Sequence, residues 1–272
     1  MKDYINMNTV LNNIEVIAYN SLVDKLEPFI KVTDWLFSEA PKIVEVTVEK
    51  NVTTLKNVQH MFLKQSLNSL RAIVILVLRG YTSQAATIAS SLYEIRLYSN
   101  YILDHQDRAE YFMKHSNSQD FVWRPKKMIR SEAQFNVNQM ANKATLNVDD
   151  EIKSINSTYM FLCSLKHNNP IPLRHTVGAK DDFIGASITD GFPVMALPDT
   201  RDSDLPTKAT VLIAAINSTF YVLRNVSLTV INDSGEFNEW IQKLFKEWNN
   251  AVDVTKENLP KYGPMPFPTI PK

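Results

Sequence analysis

Seven side chains that could bind or attack a phosphate ester lie within thirteen positions: Cys163, Lys166, His167, Asn168, Asn169, Arg174 and His175. An RNA-cleaving site would use His167 or His175 as general acid or base, with Arg174 or Lys166 holding phosphate. The catalytic candidates are therefore His167, Arg174 and His175, and the binding candidates are Lys166, Asn168 and Asn169. The alternative is a polar loop whose histidines and asparagines cap helix ends.

A thiol nucleophile is a second possibility in the same segment. Cys163 and His167 are four residues apart, so on a helix they share one face, as a thiolate and its base must. A free cysteine beside Phe161, Leu162 and Leu165 is more commonly a buried apolar side chain, however, and this is the alternative.

Arg71 and Glu94 form a third candidate, because they flank the break at Gly80 at positions that a helical hairpin would bring near each other. Charges among apolar residues must be paired, so the spacing predicts a structural ion pair that fixes the hairpin register. The functional alternative is a polar binding site inside a helical bundle, completed by Arg79 and Arg96. If the pair is buried, Glu94→Ala should cost about 3–5 kcal/mol.

Four cations and an aromatic residue lie within eight positions: Trp123, Arg124, Lys126, Lys127 and Arg130. Such a cluster could hold a phosphate backbone and stack a base, but a solvated loop and helix start is the alternative that the neutral chain favours. The sequence has no GxGxxG, P-loop, GxSxG or HExxH motif, and no Glu-x-x-His pair. We therefore expect no cofactor and no metal.

The apolar pattern that must position these residues is helical. It predicts helices over 3–24, 29–39 (ended by Pro41), 53–80, 82–105, 106–115, 123–142, 149–166, 207–230 and 237–248. The two segments around Gly80 are predicted to form a central antiparallel helix hairpin, because the first becomes apolar all round and the second has a smooth face at Ala85 and Ala89.

The predicted fold class is all-α: a helical bundle around that hairpin, with a small insertion. Asp190-Gly191, between two apolar runs, predicts a β-hairpin near 175–200. The expected organisation is N-terminal helices over 1–52 packing on a bundle of residues 53–259, an insertion over 170–206, and a proline-rich tail over 260–272.

Composition narrows the function classes. The 272 residues contain 29 Lys plus Arg and 29 Asp plus Glu, which argues against a general nucleic-acid coat. The single cysteine excludes a disulfide within the chain. The N-terminus lacks a signal-peptide pattern, and the most apolar run, 72–78, is too short for a bilayer, so we expect a cytoplasmic protein without membrane contact.

The stretch LVLRGYTSQAATIASSLYEIRLYSNYIL (76–103) contains an Arg-Gly-Tyr turn and a Ser-Leu-Tyr-Glu step, and YMFLCSLKHNNP (159–170) follows later. These motifs resemble the signature of an uncharacterised all-helical family of prokaryotic proteins, over roughly residues 55–230. The family's bundle is similar to the HEPN-type domains, and this resemblance implies a homodimer in a phage-defence or toxin–antitoxin setting.

Some HEPN-type domains are metal-independent ribonucleases, with an arginine four to six residues before a histidine. In this sequence Arg174 directly precedes His175, and Arg108 precedes His115 by seven. We therefore expect a non-catalytic interaction or ligand-binding module in a defence or stress context, with a protein partner. The alternative is a HEPN-like ribonuclease or toxin acting on RNA.

Overall fold

The computed structural model describes residues 7–47, 53–115, 122–139, 147–166 and 198–230, with four single positions between 239 and 246. Within these ranges the chain forms eight α-helices and no strand, which confirms the all-α prediction for this part. The helices are α1 (Met7–Leu22), α2 (Glu27–Thr47), α3 (Thr54–Leu78), α4 (Thr82–Ile102), α5 (Gln106–Lys114), α6 (Pro125–Gln139), α7 (Val148–Lys166) and α8 (Leu205–Val230).

Helix α3 has well-defined caps at both ends. The Thr53 hydroxyl accepts from the backbone amide of Lys56 at the start of α3. At its end, the Tyr81 amide donates to Leu76 O at 2.8 Å and the Gly80 amide donates to Val77 O at 3.0 Å, which is the Schellman pattern. Gly80 has φ of +80°, the left-handed conformation that this cap requires.

The long helices α3, α4 and α8 pack against one another, and α4 also contacts α6 and α7. Gln59, near the start of α3, hydrogen-bonds to Ser99, near the end of α4, so these two helices run antiparallel. Most of α4 is buried, including Leu92, Ile95 and Leu97. It is therefore surrounded, which explains why its sequence lacks a polar face.

Helix α2 differs from its predicted end at residue 39, because it continues through Pro41 to Thr47. Pro41 is exposed, so the carbonyl that loses its amide partner lies on the solvent side, where water can bind it. Ile43, beyond the proline, is fully buried and fixes the last turns to the core. The burial of Ile43 thus stabilises the last turns of α2, and the helix continues past Pro41.

The segment before α8 packs on the α3–α4 junction. The Asp199 amide donates to Gly80 O at 2.9 Å, and a short 3-10 turn, Asp202–Asp204, leads into α8. The predicted β-hairpin near 175–200 lies almost entirely outside the described residues. The predicted helix over 237–248 and the proline-rich tail over 260–272 also fall outside them, apart from the four single positions. The domain boundaries at 52, 170 and 259 stay predictions.

Two helices, α3 over Thr54–Leu78 and α8 over Leu205–Thr229, are long and apolar enough to cross a membrane by length and composition. The argument from the short run 72–78 overlooked them because it required an uncharged stretch. One or two such helices are weak evidence of membrane contact, since the core helix of a soluble protein passes the same test; 72% of the α8 window is buried inside the protein, against 39% of the α3 window.

Candidate functional site: an interior polar network

Seven polar residues from four helices meet inside the described bundle, and we call them the interior polar network: Gln59, Arg96, Ser99, Asn100, Glu132, Arg224 and Asn225. All are buried except Arg224, which retains partial exposure. Buried polar groups are costly unless hydrogen-bonded, so such a set in an apolar core requires a structural or functional reason.

One half of the network joins α3, α4 and α8. Gln59 Nε2 donates to the Ser99 carbonyl at 2.8 Å, and Ser99 Oγ donates to Gln59 Oε1 at 2.6 Å. Asn225 Nδ2 in turn donates to Ser99 Oγ at 3.0 Å. Each side chain is satisfied by a neighbouring helix, so these bonds define the register of the three helices.

The other half contains two arginines. Arg224 donates from Nη2 to Asn100 Oδ1 at 3.1 Å and to Asn225 Oδ1 at 2.9 Å, so its hydrogen-bond partners are neutral amides. Arg96 forms an ion pair with Glu132 of α6, and both side chains are almost completely inaccessible. Arg96 and Arg224 lie over the same ring of Tyr221, with 3.9 Å and 4.5 Å between guanidinium carbon and ring centroid.

The charges in this half are not balanced by direct contacts. Burial acts against the charged form of Arg96, but the Glu132 carboxylate, Tyr93 and Tyr221 together outweigh burial and raise the pKa of Arg96. Burial lowers the pKa of Arg224, and the nearby charge of Arg96 acts in the same direction. The Glu132 carboxylate is paired with Arg96, and Arg224 has no ion pair within the described part of the chain.

Several buried atoms of the network have no hydrogen-bond partner within the part of the chain that the structure describes. They are Arg96 Nε, Asn100 Nδ2 and Glu132 Oε2. The Asn100 amide must present Oδ1 to Arg224, since a guanidinium can only donate, and this leaves its NH₂ group unused. Native proteins leave few buried polar atoms unpaired, so three in one cluster indicate a place for a bound group or water.

The predicted pairing of Arg71 with Glu94 is wrong. Arg71 is exposed, and Glu94 Oε1 instead accepts from the Tyr159 hydroxyl of α7 at 3.0 Å. Arg79 is also at the surface, where it pairs with Glu15 of α1 at 2.8 Å. Of the four charged residues proposed for a bundle interior, only Arg96 is buried. The prediction failed because the axial level of a side chain does not fix the direction in which it points.

Cys163 lies beside the Glu94–Tyr159 pair and is only partly buried. Burial raises the pKa of its thiol, and the Glu94 carboxylate adds to the rise, although the Tyr159 hydroxyl and Lys166 oppose it. A thiolate nucleophile needs a lowered pKa, so the shift is in the wrong direction for catalysis. Burial, followed by Glu94, likewise raises the pKa of Tyr159.

The predicted catalytic residues His167, Arg174 and His175 lie outside the described residues, as do Asn168 and Asn169. Lys166 is the last residue of α7 and is exposed. The structure therefore shows no geometry for that set.

The basic segment around Trp123 matches the interpretation of a solvated helix start. Trp123 packs against the rings of Tyr101 and Tyr111, with centroids 4.9 and 5.8 Å away, so its ring is engaged within the protein. The cations Arg124, Lys126, Lys127 and Arg130 are exposed. In the described ranges no three His, Cys, Asp or Glu residues are close enough to hold a metal ion.

Sequence reasoning missed most of the network. Arg224 and Asn225 follow the largely apolar run from Phe220 to Leu223, and this predicts a buried polar contact, because charged and amide groups among apolar residues require partners. Glu132 gave no such signal, since the helix that carries it has a polar sequence.

A second buried ion pair lies at the start of α8. Lys208 Nζ donates to Asp204 Oδ2 at 2.6 Å with neither side chain accessible, and the Thr82 hydroxyl of α4 donates to the same oxygen at 2.9 Å. Because this cation has its carboxylate in direct contact, it differs from Arg224. We interpret the pair as structural.

The comparisons with known proteins assign no function to the chain. A model of a family of unknown function (DUF5677) matches residues 56–160, from the first turn of α3 into α7. No curated protein and no solved structure matches the chain. The matched segment contains Arg96, Asn100 and Glu132 but not the α8 residues of the network.

Proposed function

We propose that this chain is a non-catalytic ligand-binding module and that the interior polar network is its binding site. The observation that supports this most directly is the set of three buried polar atoms that have no hydrogen-bond partner among the described residues, together with Arg224, a partly buried arginine that has no ion pair in that part of the chain. A fully structural network would satisfy these groups internally, as the Gln59–Ser99–Asn225 half does.

Access to this site is through α8 and α6. Arg224, Tyr221 and Phe135 are each only partly buried, whereas Asn100 and Arg96 are buried behind them. The Arg224 guanidinium lies 5.1 Å from the Phe135 ring centroid, so a ligand would enter past aromatic rings and reach the amide and guanidinium donors. A few convergent polar groups with aromatic walls are typical of small-molecule sites.

The test is a thermal-shift screen of the full chain against neutral, cationic and anionic metabolites. We expect at least one class to raise the melting temperature saturably, because a ligand that binds only the folded state stabilises it. Ser91→Ala, on the exposed part of α4, serves as a matched control that should respond like the parent. A screen in which no compound shifts the parent protein would contradict the proposal.

Several more specific proposals from the sequence accompany this proposed function. They are a bundle centred on the α3–α4 hairpin, a HEPN-like and prokaryotic origin, a homodimer with a protein partner, a cytoplasmic location without membrane contact, and a role in defence or stress. They are supported by the resemblance and composition alone. Light scattering of the purified chain tests the homodimer, which predicts twice the 31.1 kDa chain mass.

The alternative function is a metal-independent ribonuclease that uses His167, Arg174 and His175. It is supported by the resemblance and by the crowding of polar residues in that segment. Total RNA and tRNA incubated with the chain and a chelator test it, with His167→Ala as the comparison. We expect no cleavage; cleavage by the parent that His167→Ala loses would establish the ribonuclease instead.

A further inference from the structure

We infer that the interior polar network binds a small oxyanion, a carboxylate or phosphate group, beside Arg224 and Asn100. This inference rests on the proposed function and specifies the chemistry of its ligand. This corner of the network has a positive charge, unused hydrogen-bond donors and partial exposure to solvent.

The charge at this corner is positive. Arg224 bonds only to the amide oxygens of Asn100 and Asn225 and stacks on aromatic rings, and the carboxylate of Glu132 is paired to Arg96. The contrast with Lys208, which has Asp204 in direct contact, shows that this protein places a carboxylate beside a buried cation elsewhere. An arginine buried without one is suited to receive an anion from outside.

The unused donors favour an acceptor-rich group. Asn100 is 6% exposed and its Nδ2 has no partner, while the same amide contacts Arg224 through Oδ1. An oxyanion could therefore accept from the Arg224 guanidinium and from Asn100 Nδ2 at once. Arg96 Nε, also unpartnered, adds a further positive donor deeper in the network.

A neutral or cationic ligand fits less well. A cation would meet two guanidinium groups, and a neutral ligand would leave the charge of Arg224 uncompensated. Glu132 pairs with Arg96 through Oε1, but its Oε2 has no partner among the described residues and would repel an anion, so the proposed anion contacts Arg224 and Asn100 rather than Glu132. Arg224 is the group to alter, since partial exposure places it at the entrance and a planar guanidinium binds carboxylate or phosphate in a bidentate manner.

The experiment measures the melting temperature of the full chain with inorganic phosphate and, separately, with succinate, at constant ionic strength set by sodium chloride. The variants are Arg224→Met, Arg224→Lys and, as a matched surface control, Arg71→Met on α3. We expect a saturable rise with phosphate or succinate in the parent and in Arg71→Met. The apparent affinity should be at least tenfold lower in Arg224→Met and intermediate in Arg224→Lys.

The same variants separate a binding role from a structural one. Without added anion, Arg224→Met should melt below the parent, because the loss of the hydrogen bonds to Asn100 and Asn225 is only partly offset by the removal of an uncompensated charge. The binding role is therefore read from the anion response of each variant relative to its own melting temperature without anion, and a response of Arg224→Met equal to the parent's would overturn the inference. So would the absence of any response to both anions. If neutral metabolites alone stabilise the parent, the ligand-binding proposal survives and the oxyanion inference fails.

Discussion

Ser99 of α4 accepts a hydrogen bond from Asn225 of α8 at 3.0 Å and donates one to Gln59 of α3 at 2.6 Å. Asn225 and Gln59 therefore meet at a single hydroxyl, which is fully buried where the three longest core helices touch. Since one oxygen serves two helices, its removal should be felt by both. The network therefore holds three helices together and is also a candidate binding site.

Ser99→Ala should destabilise the fold by about 2–4 kcal/mol, because it leaves a buried amide donor and a buried amide acceptor unsatisfied. Urea unfolding followed by circular dichroism measures the change. Ser91→Ala, one helix face away and exposed, should lie within about 0.5 kcal/mol of the parent. Equal effects from the two substitutions would show that the hydrogen bonds of the Ser99 hydroxyl do not stabilise the packing of the three helices.

Glu132→Ala should cost about 3–5 kcal/mol, because it leaves Arg96 charged and without a counterion in the core. Glu94→Ala should cost only about 1 kcal/mol, the value of one hydrogen bond, since Glu94 is partly exposed and binds Tyr159. Chemical denaturation of the two variants checks the order. A larger loss of stability for Glu94→Ala than for Glu132→Ala would show that Glu94, and not Glu132, is the buried carboxylate that neutralises an arginine.

Gly80→Ala should cost about 2 kcal/mol or more, since φ of +80° disfavours any side chain. A Cβ there would also lie 2.7 Å from the Asp199 amide nitrogen. Gly80→Asn separates the two causes, because asparagine tolerates the left-handed conformation but has the same Cβ. If the clash dominates, thermal melts should show Asn as no better than Ala; a rescue by Asn would assign the cost to the backbone.

The Cys163 thiol should react slowly with a disulfide reagent at pH 8, and its rate should rise through a pKa above the ordinary 9.0. The folded state then holds this proton more tightly than the unfolded state. Its contribution to stability is complete below the unfolded pKa and falls as pH rises through the folded one. The chain has one cysteine, so the reagent counts a single site, and the urea-unfolded chain is the control. Faster reaction in the folded state would reverse the assignment.

The helices could be predicted from the sequence because burial alone imposes the apolar period. Seven of the eight predicted helices that overlap the described ranges agree in position with α1 and α3 to α8 to within about four residues at each end, and α2 continues past its predicted end because Ile43 is buried beyond Pro41. The chemistry could be predicted only in part. Arg96 was a candidate, but its partner Glu132 lies 36 residues away on another helix. That pairing depends on how α4 and α6 are rotated about their own axes, and the spacing of residues along the chain does not determine this rotation.

The Asp204–Lys208 pair has an evolutionary consequence. Asp204 ends the 3-10 turn before α8 and Lys208 lies in the first turn of α8, both side chains are inaccessible to solvent, and the Thr82 hydroxyl donates to the Asp204 carboxylate. Replacing either charge alone would strand the other in the core, whereas a joint exchange for two apolar side chains could be tolerated. Homologous chains should therefore vary at 204 and 208 in a correlated way, and position 82 should follow them.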